Sequence, residues 1–331
     1  GKRNGVYVTN VEHKMGLNAS PTCVLAFGEE GECIGELIGP EFGGMRAMFT
    51  MMNNARLNVG LQGVQIAEAA TQKAIWFARE RVQSAKASGP SRAPVAIVEH
   101  PDVRRMLMRM KAGTQAIRAL LYLASSYVDR ATIGEAGAQE MVDLLTPLAK
   151  TYGTDMGSEI ASLGIQVHGG MGFVEETGAA QYYRDIRIAA IYEGTNGIQA
   201  MDLVARKMMD NGDAAYRLID EVQAEAELAR TGQPDLATAV WTAAEALREA
   251  TEALVAMPLN DRFAGAVPYL RAFARVLGGH FHLKAAVSDA DRVALAQFAI
   301  KRLLPEHSGL LAQVREGAAG VYAVTAEVLS A

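Results

Sequence analysis

The stretch Ile191-Tyr192-Glu193-Gly194-Thr195-Asn196-Gly197-Ile198-Gln199 holds the residues best suited to chemistry. A carboxylate stands between an aromatic ring and a glycine. Thr195 is a good N-cap, because its hydroxyl can accept an N–H two or three residues on. The helix it starts would run through Ile198, Met201, Leu203 and Val204 to about Met209. Glu193 then precedes a helix N-terminus, whose dipole stabilises a carboxylate. Ile191 and Tyr192 strip it of water and favour the acid. A balance of that kind suits a general base. The same stretch also suits a surface acid ahead of a capped helix.

A second stretch, Gly164-Ile165-Gln166-Val167-His168-Gly169-Gly170-Met171-Gly172-Phe173, reads as a glycine-rich turn. It matches neither the dinucleotide fingerprint nor the phosphate loop. Its glycines would let a ligand approach the backbone closely. A plain helix C-cap and turn fits the spacing equally well.

The elements that must hold these stretches are mostly helical. Residues 6–12 alternate like a half-buried strand, and Thr22–Phe27 and Cys33–Ile38 are further short apolar runs. Three short strands make a poor sheet alone, which implies a partner sheet. From Glu41 the spacing predicts a long helix through Met45, Met48, Met51, Met52, Leu57, Leu61, Val64, Ala67, Ala70, Ala74 and Phe77 to about Gln83. Residues 87–94 read as a loop. Pro101 opens the next helix, with Val103, Leu107, Met110, Ile117 and Leu121 as its buried stripe, up to about Asp129. A third covers about Gln139–Leu163, and a short one Gly178–Ile186. After Gly212 the chain is alanine-rich, and helices fit 213–230, 235–256, 261–287, 289–303 and 308–329. Leu236, Val240, Leu247 and Leu254 form a clean stripe there. His280 and His282 fall on different helix faces and predict no metal site.

The 331 residues are half hydrophobic but only 6% aromatic, which favours helices over a sandwich. A net charge of −5 gives no basic field for nucleic acid. Cys23 and Cys33 form neither a disulfide framework nor metal-ligand spacing, so a reducing, cytoplasmic setting is expected. No apolar run reaches membrane-spanning length, and no signal peptide opens the chain.

Taken together, Met52-Asn53-Asn54-Ala55-Arg56-Leu57, Phe77-Ala78-Arg79-Glu80-Arg81, Gln166-Val167-His168-Gly169-Gly170-Met171-Gly172, Tyr183-Arg184-Asp185 and Tyr192-Glu193-Gly194-Thr195 resemble segments of the acyl-CoA dehydrogenase family of flavoproteins. Their order and spacing match the family over about residues 6–210. The tail after Gly212 and the segment Lys14–Thr22 are similar to a bacterial subgroup, some of whose members act on 3-methylmercaptopropionyl-CoA.

The resemblance implies a mainly α fold: a remnant of the middle β domain (1–40), a C-terminal four-helix bundle (41–210) and an additional helical module (211–331). It implies a C-terminal fragment, inactive by itself, of a bacterial, cytoplasmic, homodimeric or homotetrameric enzyme. The implied reaction is FAD-dependent α,β-dehydrogenation of an acyl-CoA, with electrons passed to an electron-transferring flavoprotein. Glu193 matches the base. Asn53, Arg56, Tyr192 and Gly194 match substrate contacts. Arg81, Gln166, Gly169, Gly170 and Thr195 match FAD contacts, Arg81 reaching across a dimer. Asn53 replaces an aspartate of several relatives, Ser84 an aromatic and Gly197 a glutamine. The alternatives are an acyl-CoA oxidase of the same superfamily and a non-catalytic helical assembly or nucleic-acid-associated relative.

Overall fold

The structure, a computed structural model, describes residues 3–331. The chain opens with an antiparallel hairpin, β1 (Val6–Val11) and β2 (Cys23–Phe27). Three long helices follow: α1 (Gly44–Glu80), α2 (Pro101–Thr132) and α3 (Ala138–His168). A second small hairpin, β3 (Val82–Ala85) with β4 (Pro94–Ala96), lies between α1 and α2. Short helices α4 (Gly170–Phe173), α5 (Ala179–Ile186) and α6 (Asn196–Ala205) then fold back over α3. The remainder is α7 (Asp213–Ala229), α8 (Pro234–Ala256), α9 (Leu259–Ser288), α10 (Val293–Phe298), α11 (Glu306–Arg315) and α12 (Ala326–Leu329). Among the described residues, no helix is long and apolar enough to cross a membrane.

The pairing of α1 with α3 rests on glycine. A Cβ at Gly60 would meet the Ala149 carbonyl oxygen at 2.9 Å, and one at Gly63 the Gly153 oxygen at 2.1 Å. On the facing side, a Cβ at Gly157 would lie 3.0 Å from the Gly63 Cα. Backbones can approach that closely only where neither carries a side chain. Further along, Gly164 packs against Ala70, and the Phe77 and His168 rings stack with centroids 4.4 Å apart. Rising numbers on α1 meet rising numbers on α3, so the two helices run parallel.

Helix α9 packs against α6, α2 and α3 and also against α7, α8 and α11. One continuous buried cluster therefore reaches from Val64 on α1 to Val314 on α11. The expected stripes face that core. On α2, Leu107, Met110, Ile117 and Leu121 are buried and Val103 is half-buried; on α8, Leu236, Val240, Leu247 and Leu254 are all buried. An ionic bridge spans the same junction. Arg109 of α2 donates to Glu306 of α11 at 2.6 Å, and Arg275 of α9 to the same carboxylate at 2.6 Å.

Four sequence expectations are corrected. Cys33–Ile38 is not a strand, because no neighbouring strand among the described residues offers a ladder; Leu37 and Ile38 are exposed. Helix α1 stops at Glu80 rather than Gln83, where Arg81 turns extended to enter the β3–β4 hairpin, itself not foreseen. Its first turns leave Met45 and Met51 exposed, since α3 meets α1 only from about Gly60. Helix α3 continues past Leu163 to His168, so Gln166 is helical and the turn begins at Gly169. The expected helix over 308–329 ends at Arg315, because Gly317 adopts φ 65° and sends Ala318 N–H to Asp261 at 2.8 Å.

The glycine contact gives a test. Gly63→Ala should lower stability by about 1–3 kcal/mol, the clash outweighing a helix-propensity gain of about 1 kcal/mol. Gly309 on α11 has open space around it, so Gly309→Ala should be neutral or stabilising by up to about 1 kcal/mol. Urea unfolding midpoints would measure both, and equal midpoints would refute the close-approach argument.

Candidate functional site

Glu193 and Gly194 both sit in the left-handed backbone region, at φ 55° and 87°. Glycine adopts this readily, but for a glutamate it costs about 1–2 kcal/mol. Such strain persists only where surroundings enforce it. Among the described residues, the N–H groups of Glu193, Gly194 and Thr195 donate to no acceptor. Thr195 caps α6 as its sequence suggests, its Oγ1 accepting the Ile198 N–H at 3.3 Å.

Beneath the turn lies Lys150 of α3, fully buried. Its Nζ donates to the Gly194 carbonyl and to Asn196 Oδ1, each at 2.8 Å. Asn196 Nδ2 donates in turn to Asp155 Oδ1 at 2.7 Å and Thr154 Oγ1 at 3.0 Å. Burial pulls the Lys150 ammonium down to about 8, opposed by Asp155 and Glu193 and assisted by Arg56. Asp155 is pushed up by burial, against the Asn196 hydrogen bond and the cations Arg271, Lys150 and Arg187. Gln199 packs behind the turn: a Cβ on Gly194 would lie 2.7 Å from its Nε2 and 3.9 Å from Arg56 Nη2. Arg56 of α1 thus stands beside the Glu193–Gly194 turn. Asn53 lies on α1 too, and its side chain falls outside the described residues.

Tyr192 is held against α1. Its hydroxyl donates to Gln62 Oε1 of α1, and its ring packs over Val59, Ala161, Ile186 and Ala189. Together with Ile188, Ile191 and Arg187 it walls a cavity of about 600 Å³ closed on the other side by Lys14–Leu17. That segment is docked on α5, with Leu17 N–H donating to Asp185 Oδ1 at 2.6 Å. Arg184 pairs with exposed Glu175 at 2.9 Å, a contact worth little. Next to the turn, Asp155, Tyr183, Arg187, Thr195, Asn196 and Arg271 face a polar cavity of about 530 Å³.

The remaining sequence-predicted residues gather elsewhere. Arg81, Gln166, Gly169 and Gly170 are exposed at the far ends of α1 and α3, which the Phe77–His168 stack holds together. Arg81 donates to Gln83 at 3.0 Å, and Gly169 turns left-handed at φ 58° with open space around it. A helix rise of roughly 1.5 Å per residue puts Arg56 and Arg81 about 37 Å apart. The expected site residues therefore form two groups, one at each end of the parallel pair.

Lys150, Asn196 and Gln199 are not singled out by spacing or motif. The one signal was available: Lys150 is the only charge in the run Leu144–Thr154. A lysine in such a run is buried with a partner or faces solvent, and sequence alone does not decide which.

The buried ammonium gives a pH test. Between about 8 and its ordinary 10.5, unfolded chains keep a proton that Lys150 has released in the folded state. Stability should rise with pH across that window, because the unfolded state binds more protons there. Chemical unfolding at pH 7.5 and 10 should show this rise in the wild type and lose it in Lys150→Met. An identical pH slope in both would mean that Lys150 keeps its ordinary affinity.

Comparison with known proteins fits this geometry. Residues 43–209 match the family model "Acyl-CoA dehydrogenase, C-terminal domain", and residues 218–325 match "Acetyl-CoA dehydrogenase C-terminal like". The 3-methylmercaptopropionyl-CoA dehydrogenase of Ruegeria pomeroyi is 43% identical over 88% of the chain, and a butyryl-CoA dehydrogenase of Syntrophomonas wolfei 42% identical over 67%. The chain spans 51% and 38% of the lengths of these relatives. The fold is also that of a Bacillus anthracis acyl-CoA dehydrogenase solved with FAD, at TM-score 0.69 and 19% identity, over 98% of this chain and 58% of that one. The matches extend from the bundle through the added helices, and the chain belongs to the acyl-CoA dehydrogenase family.

Proposed function

We propose that the chain carries the base and part of the cofactor cradle of an FAD-dependent acyl-CoA dehydrogenase, with Glu193 removing the α-proton of an acyl-CoA thioester. The observation that carries the reading is the turn itself. A carboxylate is held in a strained left-handed conformation beside peptide N–H groups that donate to nothing among the described residues. A base next to free donors suits abstraction α to a carbonyl, since the donors can stabilise the oxygen as negative charge develops.

In this reading the Glu193 N–H meets the thioester oxygen, and Gly194 lets the acyl group come close. Tyr192 and Ile191 exclude water on the side of the 600 Å³ cavity. Arg56, beside the turn, and Asn53 meet the CoA portion. Bound FAD supplies the hydride acceptor. The residues present fit that group in two parts. Thr195 offers a hydroxyl and an unused N–H at one end. Arg81, Gln166 and the open turn at Gly169–Gly170 offer an exposed guanidinium and uncluttered backbone at the other. About 37 Å of helix lies between them, more than one cofactor spans, and in this reading a second copy brings its Arg81 end to this Thr195 end. The Ruegeria and Syntrophomonas relatives suggest a short acyl chain, with or without sulfur. An electron-transferring flavoprotein is the proposed acceptor, since an Acetobacterium woodii relative is a subunit of a caffeyl-CoA reductase–Etf complex.

The test is turnover of the full-length protein with short acyl-CoAs and an artificial electron acceptor. Glu193→Gln should reduce kcat by roughly 100- to 10,000-fold while acyl-CoA still binds. Full activity in that variant would sink the assignment of the base.

A further inference from the structure

Among the described residues, Lys150 is the one lysine whose side chain is fully buried, and its placement asks for a reason. A buried ammonium is destabilising unless well paired. No carboxylate lies within ion-pair distance of its Nζ among the described residues; the partners are the Gly194 carbonyl and the Asn196 amide oxygen. Both acceptors belong to the turn that carries Glu193. We propose that Lys150 is a positioning residue for this site: its ammonium clamps the Gly194 carbonyl and Asn196, and so holds Glu193 in its left-handed conformation. The inference rests on the reading of Glu193 as base.

The geometry explains how the clamp acts on chemistry it does not touch. In a trans peptide the carbonyl and the following N–H point in opposite directions. Drawing the Gly194 carbonyl down onto α3 therefore aims the Thr195 N–H up and away from Lys150. Asn196, the first residue of α6, is pinned at the same point and passes the restraint to Asp155 and Thr154. Two points on the C-terminal side of Glu193, the Gly194 carbonyl and Asn196, are thus tied to one helix. Without that tie, Glu193 would relax toward ordinary backbone angles and its carboxylate would swing from its place, since nothing else among the described residues bonds the backbone from Glu193 to Thr195 except the α6 bond from Gln199 N–H to the Thr195 carbonyl.

The clamp depends on charge. The groups facing Lys150 are Arg56 on α1, Asp155 on α3 and Glu193 on the turn. Asp155 itself faces Arg187 and, from α9, Arg271. Loss of the Lys150 proton leaves two weaker, neutral hydrogen bonds in place of charge-assisted ones. The turn should therefore loosen in mildly alkaline solution while the rest of the fold does not.

Backbone amide NMR of this chain and turnover of the FAD-loaded full-length protein test the proposal together. In the wild type, the Gly194 and Thr195 amide signals should shift with a midpoint near 8, in step with the Lys150 Nζ signal. In Lys150→Met these shifts should vanish and the turn amides should exchange faster, while the core amides of α3 keep their protection. Turnover should fall by roughly 10- to 100-fold with little change in KM for the acyl-CoA. If Lys150→Met fails to fold, Asn196→Ala removes one partner only and should shift the same midpoint and reduce kcat. Turn amides that ignore both Lys150 titration and these variants would overturn the clamp, even with Glu193→Gln inactive. A coupled turn alongside a fully active Glu193→Gln would instead remove the base assignment and leave the clamp standing.

Discussion

The contact on which the structure depends is the glycine-lined approach of α1 to α3. Gly60 and Gly63 meet Ala149, Gly153 and Gly157 so closely that a single Cβ on Gly63 would collide with backbone. Interiors pack at crystal-like density, so a contact of this kind fixes register as well as distance. Because the two helices run parallel from that point, one end brings Arg56 and Lys150 under the Glu193 turn. The other end brings Phe77 against His168 and sets Arg81 beside the Gly169 turn. Both groups of expected site residues are consequences of one crossing.

The helices after Gly212 are not a separate body resting on this pair. They share a continuous apolar core with it. Arg109, Glu306 and Arg275 add a partly buried ionic bridge, which stabilises little by itself but is costly to break on one side only. Through Arg271, α9 also reaches the polar cavity beside Asp155 and Asn196. The added helices thus contribute to the surroundings of the site and not to packing alone.

The site itself is a case of strain held by local chemistry. Glu193 could relax by a change of backbone angle, yet it is flanked by Gly194, which tolerates the left-handed region, and by Thr195, which commits the next residue to α6. Lys150 supplies the opposing anchor from below. Near neighbours in sequence and one distant lysine together hold a single carboxylate.

Much of the fold was legible in the sequence because helical periodicity reports burial directly. The stripes Leu107–Met110–Ile117–Leu121 and Leu236–Val240–Leu247–Leu254 face the core as their spacing requires. Thr195 was readable as a cap because capping is a contact between near neighbours in sequence. Strand assignment failed at Cys33–Ile38 and missed Val82–Ala85 for the converse reason: a strand exists only with its partner, and the pairing is not written in the strand's own residues. The helix end at Gly164 was misplaced because that glycine serves close packing against Ala70 rather than a turn. For the site, sequence order determined which residue types were available: a carboxylate, a glycine and a cap in succession, two arginines 25 residues apart and a glycine-rich turn. Tertiary structure alone decided that these fall into two groups at opposite ends of a helix pair, that Glu193 is left-handed, and that Lys150 lies beneath it. Those facts depend on which surfaces meet across more than 40 residues of chain, and local spacing carries no record of that meeting.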